Sequence, residues 1–410
     1  MYDVVALGEL LVDFIQNGSS QNGKNPLFEA NPGGAPCNVL AMLARLGYQT
    51  AFIGKVGDDS FGRMLGKAIQ ETGISAEGLV YDGSVNTTLA FVHSLAGGDR
   101  DFSFYRNPGA DIMLEEQEVS KKLMEGCRIF HFGSLSLTGE PAGAATKKAV
   151  AVAKEAGKLI SFDPNYREPL WDNEEQAKEA VWYGIGECDI LKIADNEIKW
   201  LTGLDDYDEG VKAIKKRSYA KLINVTLGCQ GSLAYYQDRK VCGKPFLSDR
   251  TIDTTGAGDT FCAGVLSFVL EHGLNGLKEE DLEEMLTFAN AAASIVTTRK
   301  GALRSMPDKE EIDRLIRGSR KNQAEQKIVK TFPVKLQSVD KVKGFVNDMS
   351  QIEGDALLLA GKYVIDAKSI MGIFSLDLSN PLQLQIEEWK EEYMSVIEKY
   401  LDVSISESKI

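Results

Sequence analysis

The chain has 410 residues, 43% of them apolar and 26% charged, which predicts a globular protein of about two to three domains. A net charge of −14 argues against nucleic acid or an anionic membrane as a partner, and no apolar run approaches membrane-spanning length. Six scattered cysteines without a C-x-x-C pair, and three histidines in all, argue against a zinc site and predict a reducing, cytoplasmic location.

The first predicted strand ends near a candidate ligand contact. Residues 4–8 are apolar and predict a buried strand, and Asp13 follows its end. Ligands of open α/β sheets bind beyond the carboxyl ends of the strands, so Asp13 is placed where a ligand would lie. Residues 16–32 are polar and rich in Gly, Asn and Pro, which predicts a loop.

A pair of glycines precedes the first predicted helix. Gly33 and Gly34 come just before an apolar helix that carries Asn38. Two glycines allow a ligand to approach the backbone closely, although a plain loop and cap would have the same sequence pattern. A second strand is predicted at 50–56, and GDDSFG at 57–62 predicts the start of the helix after it.

Two exposed strands then interrupt the α/β alternation. Residues 87–94 and 101–105 alternate between apolar and polar side chains, and AGGD at 96–99 joins them, which predicts an antiparallel pair. Arg106 follows, within FYRNP at residues 104–108. By itself Arg106 fits a solvated loop charge as well as a ligand contact.

Strands alternate with helices through the middle of the chain. A strand, a helix and a strand at 128–133, 143–156 and 159–162 imply a parallel sheet. DPNYREPLW at 163–171 follows this unit, and its Asn165 could form a simple Asx-turn. Further strands are predicted at 189–192 and 222–225. TLGCQG follows the second of these strands, where an ordinary hairpin is the alternative.

The motif with the clearest chemistry is IDTTGAGDTF at residues 252–261, which begins an apolar helix. Gly256 and Gly258 lie at the helix N-terminus, where backbone N–H groups have no intrahelical partner and the helix dipole favours anions. Asp259 lies in the first turn. An anion site beside a carboxylate suits phosphoryl transfer, because the carboxylate can take a proton from the attacking hydroxyl. A helix after a flexible glycine turn is the alternative.

In this order, the segments resemble the PfkB/ribokinase family of sugar and nucleoside kinases. The segment at 163–171 is similar to fructokinases and to 2-keto-3-deoxygluconate kinases, and FYRNP to fructokinases. The resemblance implies a ribokinase-like three-layer α/β/α sandwich at 1–318. It also implies a small β lid, from about 10–32 and 86–106, that closes over the sugar and forms a homodimer contact.

The resemblance also implies roles for the site residues. Asp259 would be the catalytic base beside an anion hole formed by the backbone of Gly256, Ala257 and Gly258. The sugar would be held by Asp13, Gly33, Gly34, Asn38, Arg106, Asn165 and Arg167. ATP would lie along Thr226, Gly228, Gly231 and Asn290.

Two metal sites are implied as well. Many family members have Asn-x-x-Glu near Mg²⁺, where this chain has Ala194 and Glu197, and Asn196 could supply the amide from a shifted place. Glu197 would contact Mg²⁺ through water. A monovalent cation, K⁺, is expected at Asp253, Thr255, Gly301 and Ser305, although Asp253 could instead be a cap.

The C-terminal part begins with a polar linker, or a frayed helix end, at 319–327. Residues 328–403 predict the order β-α-β-β-α-β-α, an open α/β sandwich that ends in an acidic helix at 387–400. This part resembles the phosphocarrier HPr, most specifically in VIDAKSIMGIFSL, but no histidine stands where HPr carries its phosphoryl group. Ser369 matches a serine that is phosphorylated in some HPr proteins, or it only caps a short helix.

We therefore expect an ATP-dependent sugar kinase that converts D-fructose to fructose 6-phosphate. A 2-keto-3-deoxygluconate kinase is the second enzymatic interpretation. A sugar-sensing regulatory protein, whose HPr-like part docks on a protein partner, is the alternative from another class.

Overall fold

The computed structural model describes residues 1–20, 22–94, 100–324, 329–352, 354–360, 363–376, 378, 382–386 and 389–402. The chain forms two compact units, Met1–Arg317 and Gly318–Ile410. Within the described ranges, no helix is both long and apolar enough to cross a membrane.

The first unit contains thirteen strands among its described residues. They are β1 Tyr2–Leu7, β2 Leu11–Ser19, β3 Pro26–Gly33, β4 Thr50–Gly57, β5 Ile74–Asp82, β6 Leu89–Ser94, β7 Arg100–Tyr105, β8 Cys127–Gly133, β9 Leu159–Asp163, β10 Ile190–Ala194, β11 Leu222–Thr226, β12 Ser232–Tyr236 and β13 Arg239–Gly243.

Helices connect and cover these strands. They are α1 Ala35–Arg45, α2 Ser60–Glu71, α3 Lys121–Glu125, α4 Ala142–Glu155, α5 Glu174–Glu187, α6 Asp195–Thr202, α7 Tyr207–Lys215, α8 Ala257–His272, α9 Glu279–Val296 and α10 Lys309–Ala324. Residues 319–324 thus belong to α10, as the helix-end alternative predicts, and 325–327 lie outside the described residues.

A nine-stranded sheet forms the middle layer, in the order β13-β12-β11-β10-β9-β8-β1-β4-β5. The strands from β11 to β5 are parallel, and β12 runs antiparallel to β11 and β13. Side chains of β1 alternate between the two faces: Val4 and Ala6 pack with α1, α8 and α9, and Val5 and Leu7 with α4 and α5. This alternation produces the expected three layers.

A separate four-stranded sheet occupies the region predicted to be the lid, in the order β3-β2-β6-β7. The prediction of a loop at 16–32 is wrong, because β2 continues to Ser19 and β3 occupies Pro26–Gly33. Backbone hydrogen bonds to β2 hold β3 in place, so this edge strand forms although its sequence is polar and lacks the apolar alternation of a typical strand. An aromatic cluster also supports it, with Phe91 stacked on Phe14 at 4.9 Å and edge-on to Phe28 at 5.5 Å. The turn predicted at 96–99 lies outside the described residues.

The second unit has the predicted order of elements. They are β14 Lys330–Val334, α11 Val339–Met349, β15 Ala356–Ala360, β16 Tyr363–Asp366, α12 Ile370–Phe374, β17 Leu382–Ile386 and α13 Met394–Ile397. The four strands form an antiparallel sheet, in the order β14-β17-β15-β16, over a separate apolar core.

The acidic helix predicted at 387–400 is shorter than expected. Trp389 and Lys390 precede the first helical turn, and α13 is flanked by 3₁₀ turns at Glu391–Tyr393 and Glu398–Tyr400. Lys390 has an extended backbone, with φ −122°. The apolar side chains that suggested one helix are instead buried by separate short turns. The ring of Trp389, for example, packs on Phe332 from an extended segment.

Candidate active site

A cavity of about 330 Å³ lies at the carboxyl ends of β1 and β10 and at the N-termini of α1 and α8. Nine of the residues predicted from the sequence line it: Asp13, Gly34, Asn38, Asn165, Arg167, Thr255, Gly256, Gly258 and Asp259. Residues from distant parts of the chain therefore meet at one site, at the sheet edge where α/β proteins bind ligands.

The predicted anion site lies at the start of α8. Gly256 is the N-cap, with φ 77°, and its carbonyl accepts the first helical bond from Thr260 N at 2.8 Å. Within residues 252–262, all of them described, the amides of Gly256 and Gly258 donate to no backbone carbonyl. The amide of Ala257 differs from the prediction, because it donates to the carbonyl of Thr254 at 3.2 Å. Of the three amides predicted to form the anion hole, those of Gly256 and Gly258 are therefore available for an anion.

Asp259 is buried in the first turn of α8, where its Oδ2 accepts a hydrogen bond from Asn38 Nδ2 at 2.8 Å. Burial and the nearby carboxylate of Asp163 raise the pKa of Asp259 to about 6, whereas the Asn38 bond and the charges of Lys192 and Arg167 lower it. A carboxylate with a pKa near 6 is ionised at neutral pH and remains a useful proton acceptor.

The predicted sugar contacts occupy several elements around this carboxylate. A side chain at Gly33 would collide with Asp13, since a Cβ there would lie 2.2 Å from Asp13 Oδ2. Asn165 has φ 47°, a left-handed conformation that Asn tolerates better than most residues. Arg167 Nη1 donates to the carbonyl of Tyr166 at 3.0 Å. These contacts hold polar side chains around the cavity.

Arg106 has a different place from the one predicted. It is not among the residues that line the cavity, and its side chain is 4% exposed. Its guanidinium donates to Asp111 at 2.8 Å, to Thr138 at 2.7 Å and to the carbonyl of Leu135 at 3.0 Å. Because Leu135 lines the cavity, Arg106 supports the wall of the site from behind.

The residues predicted to bind the nucleotide lie together near the β11–β12 turn: Thr226, Gly228, Gly231 and Asn290. Asn290 Nδ2 donates to Ser232 Oγ at 2.9 Å and to the carbonyl of Lys244 at 3.2 Å, so a nucleotide contact would use Oδ1. A Cβ at Gly231 would lie 2.2 Å from the carbonyl oxygen of Gly243, which excludes any larger residue.

Glu197 connects two loops through hydrogen bonds to their backbone amides. Its Oε1 accepts the amide of Tyr166 at 2.8 Å, and its Oε2 accepts the amide of Ala194 at 2.7 Å. Burial raises the pKa of Glu197, and the charge of Lys192 opposes this increase. Each oxygen of Glu197 accepts one backbone amide and keeps a second lone pair, so the carboxylate can still accept a hydrogen bond from a metal-bound water, as predicted. The described residues contain no group of three or more metal-ligating side chains.

The expected site of the monovalent cation lies where two loops approach α8. Asp253 Oδ1 accepts the amide of Thr255 at 2.8 Å, which closes a local turn before α8; no side chain of the described residues caps the helix itself, whose N-cap is Gly256. Ser305 Oγ donates to the carbonyl of Gly301, and the carbonyl of Ser305 accepts from Arg299 at 3.2 Å. Oxygen atoms of the required type are thus present, but several already have protein partners.

The model of the pfkB family of carbohydrate kinases matches residues 1–309. The chain belongs to this family of kinases. Among its relatives, Fructokinase-1 of Oryza sativa subsp. japonica is 40% identical over 314 residues, covering 76% of this chain and 97% of the relative. Fructokinase-1 of Zea mays is 41% identical over 314 residues, with the same two shares covered.

Solved structures resemble this pfkB-family kinase over the same region. A fructokinase from Xylella fastidiosa with bound ATP superposes with a TM-score of 0.72 and 29% identity, covering 78% of this chain and 100% of its own. A Vibrio cholerae fructokinase with fructose, ADP and calcium gives 0.69 and 30%, covering 77% and 99%. The expected kinase family and ribokinase-like α/β fold are thereby confirmed.

Two charged cavity residues of this pfkB-family kinase were missed in the sequence. Lys192 is buried on β10, 3.2 Å from Asp163, and its Nζ would lie 3.1 Å from a Cβ on Gly258. Burial lowers its pKa, but the carboxylates of Asp163, Glu197 and Asp259 outweigh burial and raise it. Glu9 follows β1 and lines the same cavity. A charge within the apolar ILKIA strand was the available signal for Lys192, since an unpaired buried lysine is costly.

Proposed function

We propose that this chain transfers the γ-phosphoryl group of ATP to a primary hydroxyl of a sugar, with D-fructose as acceptor and fructose 6-phosphate as product. The relatives named as fructokinases, and a similar structure with bound fructose, support this acceptor. The observation that most supports this proposal is the cavity in which the buried carboxylate of Asp259 lies beside the amides of Gly256 and Gly258.

In the proposed reaction, Asp259 accepts the proton of the sugar hydroxyl as that oxygen bonds to the γ-phosphorus. The bond from the γ-phosphorus to the β–γ bridging oxygen breaks, and ADP leaves. The amides of Gly256 and Gly258 stabilise charge on the phosphoryl oxygens. Lys192, beside Gly258, adds a positive charge at the same position.

The acceptor would be held by Asp13, Gly34, Asn38, Asn165 and Arg167, which line the cavity. Arg106 would act through Leu135, and Gly33 by leaving room for Asp13. A 2-keto-3-deoxygluconate acceptor carries a carboxylate that Arg167 would also attract, so it is the second candidate. Values of kcat/KM across fructose, other hexoses and 2-keto-3-deoxygluconate separate the two. The proposal would be refuted if the enzyme transferred the γ-phosphoryl group of ATP to none of these acceptors.

We propose that ATP lies along Thr226, Gly228, Gly231 and Asn290, together with Mg²⁺ bound by its phosphates. Glu197 would contact that ion through water, while each of its oxygens also accepts a backbone amide. We also propose K⁺ binding at Asp253, Thr255, Gly301 and Ser305. Activity measured in potassium, and then in the larger tetramethylammonium at equal ionic strength, tests the K⁺ site, and equal rates would refute it.

We propose that the second unit is an HPr-like domain, at 328–403, which has lost phosphate relay and binds a protein partner. Its element order and sheet order support this assignment. Ser369 Oγ accepts the amide of Gly372 at 3.2 Å, so it caps α12 and could also be a regulatory phosphorylation site. The sensing role is tested by removing residues 325–410, since each unit has its own apolar core. If the truncated protein kept the same kinetics, oligomeric state and partner binding, the sensing role would have no support.

We further propose that the enzyme acts in the cytoplasm as a homodimer formed through the lid. All six cysteines are unpaired, which suits a reducing compartment. The two edge strands of the lid carry exposed apolar residues, Leu27 on β3 and Tyr105 on β7. Sedimentation of the variant Tyr105→Glu tests this contact. A wild-type monomer, or a variant that dimerises as well as the wild type, would refute it.

A further inference from the structure

The helix α1, whose N-terminus borders the cavity, has no cap from its own N-cap residue. Gly34 occupies that position and has no side chain to accept a helix amide. The first amide of the helix, Ala35 N, instead donates to Glu9 Oε1 at 2.8 Å. Glu9 comes from the connection between β1 and β2 and is 3% exposed. The carboxylate of a different segment therefore caps α1.

Close backbone packing fixes Glu9 against the start of α1. A Cβ at Gly34 would lie 2.4 Å from the carbonyl oxygen of Glu9, and a Cβ at Gly8 would lie 2.6 Å from Pro36 Cγ. Gly34 also has φ 128°, which disfavours other residues. The two segments fit together only in this arrangement, so the capping bond has a defined geometry.

One helical turn connects this cap to the catalytic base. The amide of Asn38 donates to the carbonyl of Gly34 at 3.0 Å, and its side-chain Nδ2 donates to Asp259 Oδ2 at 2.8 Å. A shift of the first turn of α1 would therefore move the Asn38 amide relative to Asp259. Hydrogen bonds to a charged carboxylate depend steeply on such geometry.

We propose that Glu9 is a positioning residue: its carboxylate anchors the N-terminus of α1 and thereby holds Asn38 in place on Asp259. This inference rests on the proposed function, in which Asp259 is the base. It also explains why the chain keeps a carboxyl group at a buried position. Burial raises the pKa of Glu9 to about 7, against the lowering effect of its backbone hydrogen bonds. Such a group is costly to bury unless its contacts are needed.

The variants Glu9→Ala and Glu9→Gln test the anchor. Glutamine keeps an acceptor for Ala35 N and alanine does not, so we expect kcat to fall about 10-fold in Glu9→Ala and less than about 3-fold in Glu9→Gln. Asp206→Ala is the matched control, because Asp206 caps α7 by accepting the amide of Glu209 at 2.9 Å. It should lose stability without losing kcat. If Glu9→Gln is as impaired as Glu9→Ala, the charge matters rather than the anchor, and the proposal is overturned.

A double-mutant cycle shows whether Glu9 acts through Asn38. We expect Glu9→Ala to cost little further kcat in an Asn38→Ala background, because the bond that it supports is already absent. Additive losses in kcat, or a rise in the KM for the sugar alone, would indicate direct sugar contact and overturn the proposal.

Hydrogen exchange of the amides of Ala35, Cys37 and Asn38 tests the anchor independently of which substrate the enzyme uses. It should accelerate in Glu9→Ala and not in Glu9→Gln, whether or not any sugar is phosphorylated. Equal exchange in all three proteins refutes the anchor. The expected exchange differences in a protein without sugar kinase activity refute only the proposed function.

Discussion

Asn38 Nδ2 donates a hydrogen bond of 2.8 Å to Oδ2 of Asp259, although the two residues are 221 positions apart in the chain. The bond joins the first turns of α1 and α8, so the two helix N-termini that face the cavity are held in register. Asn38 was expected to hold the sugar, and in the structure its side-chain amide donates to Asp259, the proposed base. The proposed sugar site and the proposed base are thus joined by a direct hydrogen bond.

Loss of this bond should make Asp259 harder to ionise. The bond lowers the pKa of Asp259, so we expect Asn38→Ala to move the acid limb of the pH profile of kcat/KM to higher pH. We also expect kcat of Asn38→Ala to fall about 10-fold or more, because a hydrogen bond to a charged group contributes roughly 1.5–3 kcal/mol. An unchanged acid limb in Asn38→Ala would contradict this electrostatic role.

The wild-type enzyme should lose activity in mild acid. Burial and Asp163 raise the pKa of Asp259 to about 6, and only the ionised form can accept a proton. The value of kcat/KM should therefore increase with pH up to about pH 7, with an inflection near 6. A profile that is flat from about pH 5 to about pH 8 would rule Asp259 out as the titrating group.

Gly256 and Gly273 provide a matched pair at opposite ends of α8. Both have φ 77°, but a Cβ at Gly256 would lie 2.7 Å from Ala302 Cβ, whereas nothing lies within 4 Å of a Cβ at Gly273. We expect Gly273→Ala to cost about 1 kcal/mol of stability and leave kcat unchanged. Gly256→Ala should lose stability and at least about 10²-fold in kcat, because it displaces the anion-site amides. Equal kinetics of the two variants would contradict this site.

Lys192 should contribute to both stability and activity, and the two can be separated. Lys192→Met leaves Asp163 as an unpaired buried charge, which should cost about 3–5 kcal/mol of unfolding free energy. Adding Asp163→Asn should recover most of that stability without recovering kcat, if Lys192 stabilises the phosphoryl group. Thermal unfolding and steady-state kinetics of both variants measure this. Full recovery of kcat in the double variant would make Lys192 purely structural.

The sequence was most informative where backbone requirements are local. The glycine positions at 256 and 258 predicted the anion site, since a helix N-terminus has the same free amides in any fold. The prediction failed for Ala257, whose amide closes a turn on Thr254. Backbone geometry of that kind depends on how the preceding turn folds, which residue types alone do not determine.

Long-range partners were less predictable. Arg106 lies in a fructokinase-like segment, but Asp111, five residues later, folds back to pair with it. Glu9 and Lys192 acquire their roles only when β1, β10, α1 and α8 meet. The charge within ILKIA indicates that Lys192 needs a buried partner, but not which residue that partner is. In the lid, β3 depends on pairing with β2, and its polar composition suggested a loop.

The most direct test of the proposed chemistry is the variant Asp259→Asn, assayed with ATP and fructose. Its kcat should fall roughly 10²–10⁴-fold, because asparagine cannot accept the proton. Fructose binding, measured by calorimetry, should stay within about 3-fold of the wild type, since the introduced amide keeps an oxygen that can accept from Asn38. A variant that binds fructose and retains more than about a tenth of the wild-type kcat would contradict Asp259 as the base.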